Sequence, residues 1–186
     1  MANHGFMLES RVMAKDVSSL NVDAVATFDV DGGSFVKVSR IKGGKDDRYT
    51  ATKVGADDDA SDIAIAYNTL DISTADDRGN VYAGLTVDPR AFTNRANRTF
   101  AAFFPQLHDE IKWSVDAIDT TVKPAEDAFI VEDAGSLKPK VVATLAGTEK
   151  VAFKIISVDD IMGLFPAEKG KIGYSKTQVV HAIRVK

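Results

Sequence analysis

The stretch that decides the fold is DPRAFTNRANRTFAAFFPQLHDEIKWSVDAID, residues 88–119, which holds the single Trp and four of the ten Phe residues. Its apolar residues fall at three- and four-residue steps after an Asp-Pro start, which favours a helix. Pro105 would interrupt that helix and destabilise it by about 3 kcal/mol. The aromatic run 99–104 and the alternation over 110–118 indicate two strands instead.

We therefore predict a loop through Asn94 and Asn97, followed by two antiparallel strands that residues 105–109 join. A helix within residues 88–119 stays the alternative. The choice matters for the fold class, because the rest of the chain carries mostly β signals.

Short β-rich runs precede this stretch. Two of them, residues 23–30 and 34–41, lie on either side of an Asp-Gly-Gly turn at 31–33, and this pattern predicts a β-hairpin. Residues 48–54 predict another short strand. The apolar run 63–67 predicts a strand that is buried on both faces.

Further β runs lie nearby and towards the end of the chain. A short apolar run with a glycine inside it precedes the aromatic stretch, and four β-branched, roughly alternating runs follow it. They are residues 81–87, 128–132, 141–145, 151–158 and 178–185, with a loop predicted at 162–175. Turn signals recur about every ten residues. The sequence therefore predicts a mainly β fold, an antiparallel β-barrel or sandwich with at most one or two short helices.

The chain is long enough for one domain or for two small β modules that share a core. A composition shift near Pro124 permits a boundary there. We predict an N-terminal arm or terminal strand at 1–21, a β module at 22–123, and C-terminal strands at 124–186. The last group either completes the same domain or forms a second small module.

Composition excludes several classes of function. The chain has no cysteine, which excludes zinc-thiolate sites, thiol catalysis and a disulfide framework. Its formal net charge is -4 and its basic residues are dispersed, which argues against direct binding of nucleic acid. The first residues lack the pattern of a secretion signal, and no apolar run approaches the roughly 20 residues that span a bilayer. We expect synthesis in a cytoplasm and no membrane partner.

Two groups of residues could in principle bind a metal ion. The acidic run Asp57, Asp58 and Asp59, with Asp62, offers carboxylate oxygens, but it lacks the glycine and the bidentate Glu of a calcium loop. A solvated loop is therefore expected. The three histidines have no ligand spacing; they are His4, His108 and His181. No cofactor is predicted.

No sequence motif indicates an enzyme. No serine lies in a nucleophile elbow, and there is no cysteine for a thiol mechanism. An enzyme that uses Asp59, Asp62 or His108, brought together by the fold, is the alternative. We predict a protein that is not an enzyme.

A ligand-binding or carbohydrate-binding β module is a second alternative. Its stacking platform would come from aromatic residues, namely Trp113, Tyr67, Tyr82 and Tyr174. Burial of Trp113 in the core is the competing interpretation, because Trp113 lies on an alternating face.

Four parts of the sequence carry a resemblance to a known family. They are residues 31–38 (DGGSFVKV), residues 48–52 (RYTAT) with 63–67, residues 92–96 (FTNRA), and residues 153–156 (FKII) with 179–185. In this order they resemble the small capsid decoration, or cement, proteins of tailed bacteriophages, a group of phage head structural proteins. The resemblance covers most of the chain from Asp29 onward, whereas the first 20 residues and the longer loops at 57–62 and 157–175 depart from it.

The resemblance implies a non-enzymatic virion structural protein that binds and stabilises an assembled phage capsid lattice. It implies the major capsid protein as partner, and location in the virion after synthesis in the host cytoplasm. Symmetric self-association into a homo-oligomer is a further expectation. In the unmatched N-terminal segment, Phe6, Met7 and Leu8 are the candidate interface residues, as apolar anchors of an extended arm.

Overall fold

The computed structural model describes residues 4–41, 47–67, 90, 92–166 and 174–186. Eleven strands make up most of this part of the chain. They are β1 (Met7–Arg11), β2 (Asn21–Val25), β3 (Phe35–Arg40), β4 (Tyr49–Thr52), β5 (Ile63–Tyr67), β6 (Thr99–Phe103), β7 (Glu110–Ser114), β8 (Phe129–Val131), β9 (Lys140–Val142), β10 (Ala152–Pro166) and β11 (Tyr174–Arg184). The mainly β prediction is confirmed.

The strands form two bodies that are packed together. Strands β2, β4, β3, β5 and β6 close into a barrel in that order. Strands β1, β7, β11, β10, β8 and β9 form a six-stranded sheet in that order, in which every pairing is antiparallel. Helical structure in the described ranges consists of 3-10 turns, and none of these is long and apolar enough to cross a membrane.

The aromatic stretch forms two strands, as predicted, and the described part of it contains no long helix. The predicted pairing of the two strands is wrong. Strand β6 pairs with β2 and β5 in the barrel, whereas β7 pairs with β1 and β11 in the sheet. Residues 104–109 therefore do not form a hairpin turn; they carry the chain from the barrel to the sheet.

The hairpin predicted around residues 31–33 is also wrong, although both strands exist. Strand β2 pairs with β4 and β6, and β3 pairs with β4 and β5. The turn itself is present, since Ser34 N–H donates to the carbonyl oxygen of Asp31 at 3.2 Å. The connection from Val25 to Phe35 is too long for a tight hairpin, and Val30 within it pairs with Asn94 instead.

The remaining strand predictions are confirmed as β4, β5, β8, β9, β10 and β11. The loop predicted at 162–175 is shorter than expected, because β10 continues to Pro166 and β11 begins at Tyr174. The predicted run 81–87 and Tyr82 lie outside the described residues.

The barrel has a narrow interior that is filled by small side chains. In β5 the residues alternate, so that Ala64 and Ala66 face the interior while Ile63 and Ile65 face outward into a second core. Beside four valines and Phe100, the buried cluster of the barrel contains six alanines; they are Ala24, Ala26, Ala51, Ala64, Ala66 and Ala102. A five-stranded barrel leaves little room inside, so small residues are expected there.

The second core lies between the barrel wall and one face of the sheet. The barrel contributes Phe35 and Phe103 in addition to the two isoleucines of β5, and the sheet contributes Trp113 and Phe153, all almost fully buried. Because each body supplies one side of this core, the barrel and the sheet stabilise each other. Burying a large apolar side chain contributes about 1.5–3 kcal/mol.

Trp113 lies at the centre of this contact. Its indole N–H donates to the carbonyl oxygen of Gly33 at 3.0 Å, and its ring packs edge-on against Phe153 at 4.9 Å between centroids. Gly33 has φ of +87°, and a Cβ there would lie 2.6 Å from Trp113 Cδ1. Glycine is thus required for two reasons, the left-handed backbone and the closeness of the indole ring.

The two bodies are not consecutive along the chain. Strands β1 and β7, which precede Pro124, lie in the same sheet as β8–β11, which follow it. The barrel is formed by strands between Asn21 and Phe103, inserted between two strands of that sheet.

Gly33→Ala should destabilise the fold by about 3 kcal/mol or more, because it adds a steric clash to the strain of a left-handed alanine. Gly135→Ala is the matched control: Gly135 has φ of +82°, but no atom lies within 4 Å of the position that a Cβ would occupy there. The control should lose only about 1–2 kcal/mol. Urea unfolding followed by Trp113 fluorescence measures both, and equal losses would contradict the packing argument.

Candidate functional site

The N-terminal segment, residues 4–11, is fixed to both bodies of the fold. Asp31 in the barrel binds it through both carboxylate oxygens, which contact His4 Nδ1 at 2.9 Å and accept from Gly5 N–H at 3.0 Å. The backbone of Phe6 exchanges two hydrogen bonds with Ser114 in the sheet, at 3.0 and 2.9 Å. Gly5 packs so closely on Ala117 that a Cβ would lie 2.4 Å from its Cα.

These contacts place the three candidate interface residues in different environments. Phe6 is 1% exposed and packs inside this chain, so it is not accessible as an anchor in this conformation. Met7 and Leu8 are half-buried in β1, opposite Trp113 and Lys112 respectively. Because Trp113 faces the core, Leu8 lies on the outer face of the sheet. Binding of a partner by Met7 and Leu8 stays a prediction.

The far end of β1 is held by a second group of polar side chains. Glu110 of β7 accepts from Arg11 at 3.4 Å and contacts His181 of β11 at 3.2 Å. A β-bulge at Ser10 and the charged Arg11 interrupt this edge of the sheet. Bulges and charges are common protections of a sheet edge. Strand β1 is therefore bounded at each end by a histidine–carboxylate contact.

The acidic run does not converge on a common point. Asp58 forms a short hydrogen-bonded ion pair with Lys37 and accepts from Gly55 N–H at 2.6 Å. The Lys37 hydrogen bond, followed by that of Gly55, lowers the pKa of Asp58 below the usual carboxyl range. The same contact raises the pKa of Lys37. Within the described residues, no group of three or more acidic or histidine side chains could hold a metal ion.

Asp109 is a buried carboxylate at the place where the chain passes between the two bodies. It is 2% exposed and accepts from Met13 N–H at 2.8 Å and from Gln106 N–H at 2.6 Å. The first donor lies on the crossover from β1 to β2, and the second on the crossover from β6 to β7. One carboxylate thus binds the two described segments that join the barrel to the sheet.

Arg184 completes this junction from β11. Its guanidinium donates to the carbonyl oxygens of Pro105 and Lys186. Its backbone N–H donates to the backbone carbonyl oxygen of Asp109 at 2.8 Å. Burial lowers the pKa of Arg184, and the nearby charge of Asp109 opposes that shift. The junction is polar, but its groups are used in contacts within the chain.

Two glutamates also accept hydrogen bonds from backbone N–H groups, as Asp109 does. Glu132 accepts from Lys150 N–H at 2.6 Å and from Val151 N–H at 3.1 Å. Glu149 accepts from the N–H groups of Ala146 and Gly147, which lowers the pKa of Glu149. Across the described residues, the acids with the most contacts bind backbone amides and thereby fix loops and connections.

In the described part of the chain, no contact joins the residues that the enzyme alternative would use. His108 is exposed with φ of +73°, and no hydrogen bond or ion pair there joins it to Asp59 or Asp62. Asp59 and Asp62 lie at a 3-10 turn before β5, where both charges act on Lys37.

The aromatic platform does not form from the residues that can be described. Trp113 is fully buried in the core, as the competing interpretation held. Tyr67 packs on Phe103 at 5.7 Å between ring centroids, and its hydroxyl donates to Asn21 at 3.3 Å. Tyr82 lies outside the described residues, and Tyr174 is placed only by its position in β11.

The sequence did not reveal the carboxylates that fix one segment of the chain to another, which we call the bracing carboxylates. Asp31, Asp109 and Glu132 each bind amides that are brought close by the fold, and for Asp31 the bound segment lies 26 or 27 residues away. The one local signal is at Asp109, which accepts from the N–H three residues before it in a turn-like sequence.

Asp109→Ala should destabilise the protein by about 2–3 kcal/mol, because it leaves two amide donors without their acceptor. Asp57→Ala, an exposed neighbour in the acidic run, should change stability by less than about 0.5 kcal/mol. Denaturant midpoints of the purified variants measure the difference. An Asp109 variant as stable as the control would contradict the bracing role.

Asp58→Asn should lower stability at neutral pH and have no effect in acid. Because the pKa of Asp58 is lowered by folding, its contribution is present above the unfolded pKa and is lost as pH falls through the folded one. The free energies of unfolding of wild type and variant should therefore differ above about pH 5 and converge towards about pH 2. Asp57→Asn is the control, and a difference that persists in acid would contradict the ion-pair explanation.

Comparisons with protein-family models, curated proteins and solved structures found no match for this chain. A proposal about function therefore depends on the residues of the chain and on their geometry.

Proposed function

We propose that this chain is a non-enzymatic structural protein of a tailed-phage virion, which binds the assembled capsid lattice through the major capsid protein and stabilises it. The observation that carries the proposal is the bracing of connections by carboxylates. Asp31, Asp109 and Glu132 each bind backbone amides of a different segment and fix that segment to its neighbour. The sequence resemblance to decoration proteins supports the same interpretation.

A rigid surface suits this role for a physical reason. Binding that orders loops loses conformational entropy, so a surface whose loops are already fixed keeps more of its contact energy. Many copies on one lattice then add to its stability even when each contact is weak. Such a surface requires two features. One is the core that the barrel and the sheet share, and the other is the set of connections that carboxylates fix.

The outer side of β1 is the proposed contact with the lattice. Leu8 lies there beside Lys112, at an edge of the six-stranded sheet. Phe6, directly before β1, is buried, and its backbone is hydrogen-bonded to Ser114. Leu8 is thus the residue through which the partner would be contacted on this face, whereas Met7 lies opposite Trp113 and packs against the core. Homo-oligomerisation on the lattice is part of the proposal.

Purified native particles test the proposal directly. We expect mass spectrometry to detect this chain in particles, and cryo-imaging to locate β-rich density of its size on the shell. Its absence from purified particles would overturn the proposed location. Its presence inside the particle, away from the shell, would overturn the proposed role.

A variant pair tests the contact surface. Leu8→Asp should weaken binding to shells that lack this chain by about tenfold or more, because it places a charge in an apolar contact. Val122→Asp is the control, since Val122 is 46% exposed on a connection outside β1. Co-sedimentation measures occupancy, and circular dichroism verifies folding. Phe6→Asp is unsuitable, because a buried charge would unfold the protein. Equal binding by both variants would exclude β1 as the contact.

A further inference from the structure

Two described connections between the barrel and the sheet, residues 12–20 and 104–109, lie side by side. Asp109 accepts from Met13 N–H at 2.8 Å through one carboxylate oxygen and from Gln106 N–H at 2.6 Å through the other. Taking a carboxylate out of water is unfavourable unless it is hydrogen-bonded, and Asp109 is 2% exposed. The fold thus uses a buried carboxylate to hold the two connections together.

Exposed apolar side chains are concentrated on these connections. Leu107 is 55% exposed and Met13 is 53% exposed, the highest values among the exposed large apolar residues that the structure describes. Met13 itself donates to Asp109, and Leu107 directly follows the second donor, Gln106, so the two apolar residues lie on neighbouring backbones. Single exposed apolar residues are ordinary, whereas a group of them marks a candidate interaction surface.

Val17 extends this group along the first connection. It is 37% exposed, and its carbonyl oxygen accepts from Leu20 N–H at 3.0 Å. The carbonyl oxygen of Leu20 accepts from Phe104 N–H at 2.9 Å, so the end of the first connection also lies beside the second one. We call Met13, Val17 and Leu107 together the junction patch.

We propose that the junction patch is a self-association surface, through which two copies of this chain pair about a twofold axis. Apolar area on a backbone that is already fixed suits binding, since no loop has to be ordered when the contact forms. A twofold contact uses the same surface of both copies, so the surface must be complementary to itself.

The charges beside Met13 meet this requirement. Arg11 precedes it with a side chain that is 80% exposed, and Asp16 follows it and is also exposed. When two copies of this stretch align in opposite directions across the axis, Arg11 of each copy lies opposite Asp16 of the other. The order of base, apolar residue and acid therefore pairs with its own reverse. A partner with a rim of one charge would meet a like charge on one side of Met13.

The inference names the surface for the homo-oligomerisation that is part of the proposed function, and it rests on that function only for its role on a lattice. Pairing itself is a property of the purified chain. It is therefore measured without shells. A negative result there would leave the lattice contact through Leu8 as it stands, and failure of the lattice contact would leave the pairing as it stands.

Sedimentation equilibrium of the purified full chain tests the proposal between micromolar and millimolar concentration. We expect the average mass to rise from that of one chain towards that of two. Leu107→Asp should weaken pairing about tenfold or more, because it places a charge in the apolar contact. Val122→Asp is the matched control and should pair as the wild type does, since Val122 is 46% exposed on another connection. Circular dichroism verifies folding, and Met13→Asp replaces Leu107→Asp if the latter does not fold.

Charge reversal tests the twofold geometry. Arg11→Glu alone and Asp16→Lys alone should each weaken pairing severalfold, because like charges then face each other. An equimolar mixture of the two variants should restore pairing, because opposite charges face each other again at both contacts. Mixing would not restore a folding defect. A wild type that stays monomeric, a Leu107→Asp variant that pairs as well as the control, or a mixture that pairs no better than its components would overturn the proposal.

Discussion

The contact of Trp113 with Gly33 is the constraint on which the rest of the structure depends. The indole passes from the sheet into the wall of the barrel, where only a residue without a side chain leaves room for it. Phe153 and the outward-facing isoleucines of β5 then pack around this ring. The two bodies therefore share one core between them, with Trp113 at its centre.

The positions of the strands could be predicted from the sequence, but their partners could not. Alternation and turn residues are local signals, so β5, β8 and the two strands of the aromatic stretch were visible in the chain. Pairing depends on which faces share a core. The run 63–67 shows the difference. Its burial was predictable from its apolar residues. Its alanines face the barrel interior and its isoleucines face the sheet, and this arrangement can be explained only from the structure of both bodies. Adjacent strands were therefore assigned as hairpins that the fold does not form.

The same limit applies to the candidate site. The sequence identified Phe6, Met7 and Leu8 as apolar residues in a segment of their own, but could not show that Met7 lies opposite Trp113 while Leu8 lies opposite Lys112 on the outer face of the sheet. That distinction follows from the register with β7, which is set more than a hundred residues later in the chain. The bracing carboxylates share this property, because the amides that they bind belong to segments brought together by folding. Metal and catalytic motifs are defined by local spacing, whereas many polar contacts among the described residues join segments that are far apart in the chain.

The register between β1 and β7 has a consequence for the order of events during synthesis. Strand β1 emerges from the ribosome about a hundred residues before its pairing partner, which begins at Glu110. At roughly 5–20 residues per second, β1 waits about 5–20 seconds for that partner. The barrel strands between them emerge in the interval and can pair with one another. Strand β1 therefore stays without its sheet partner while the strands of the barrel can already pair with one another.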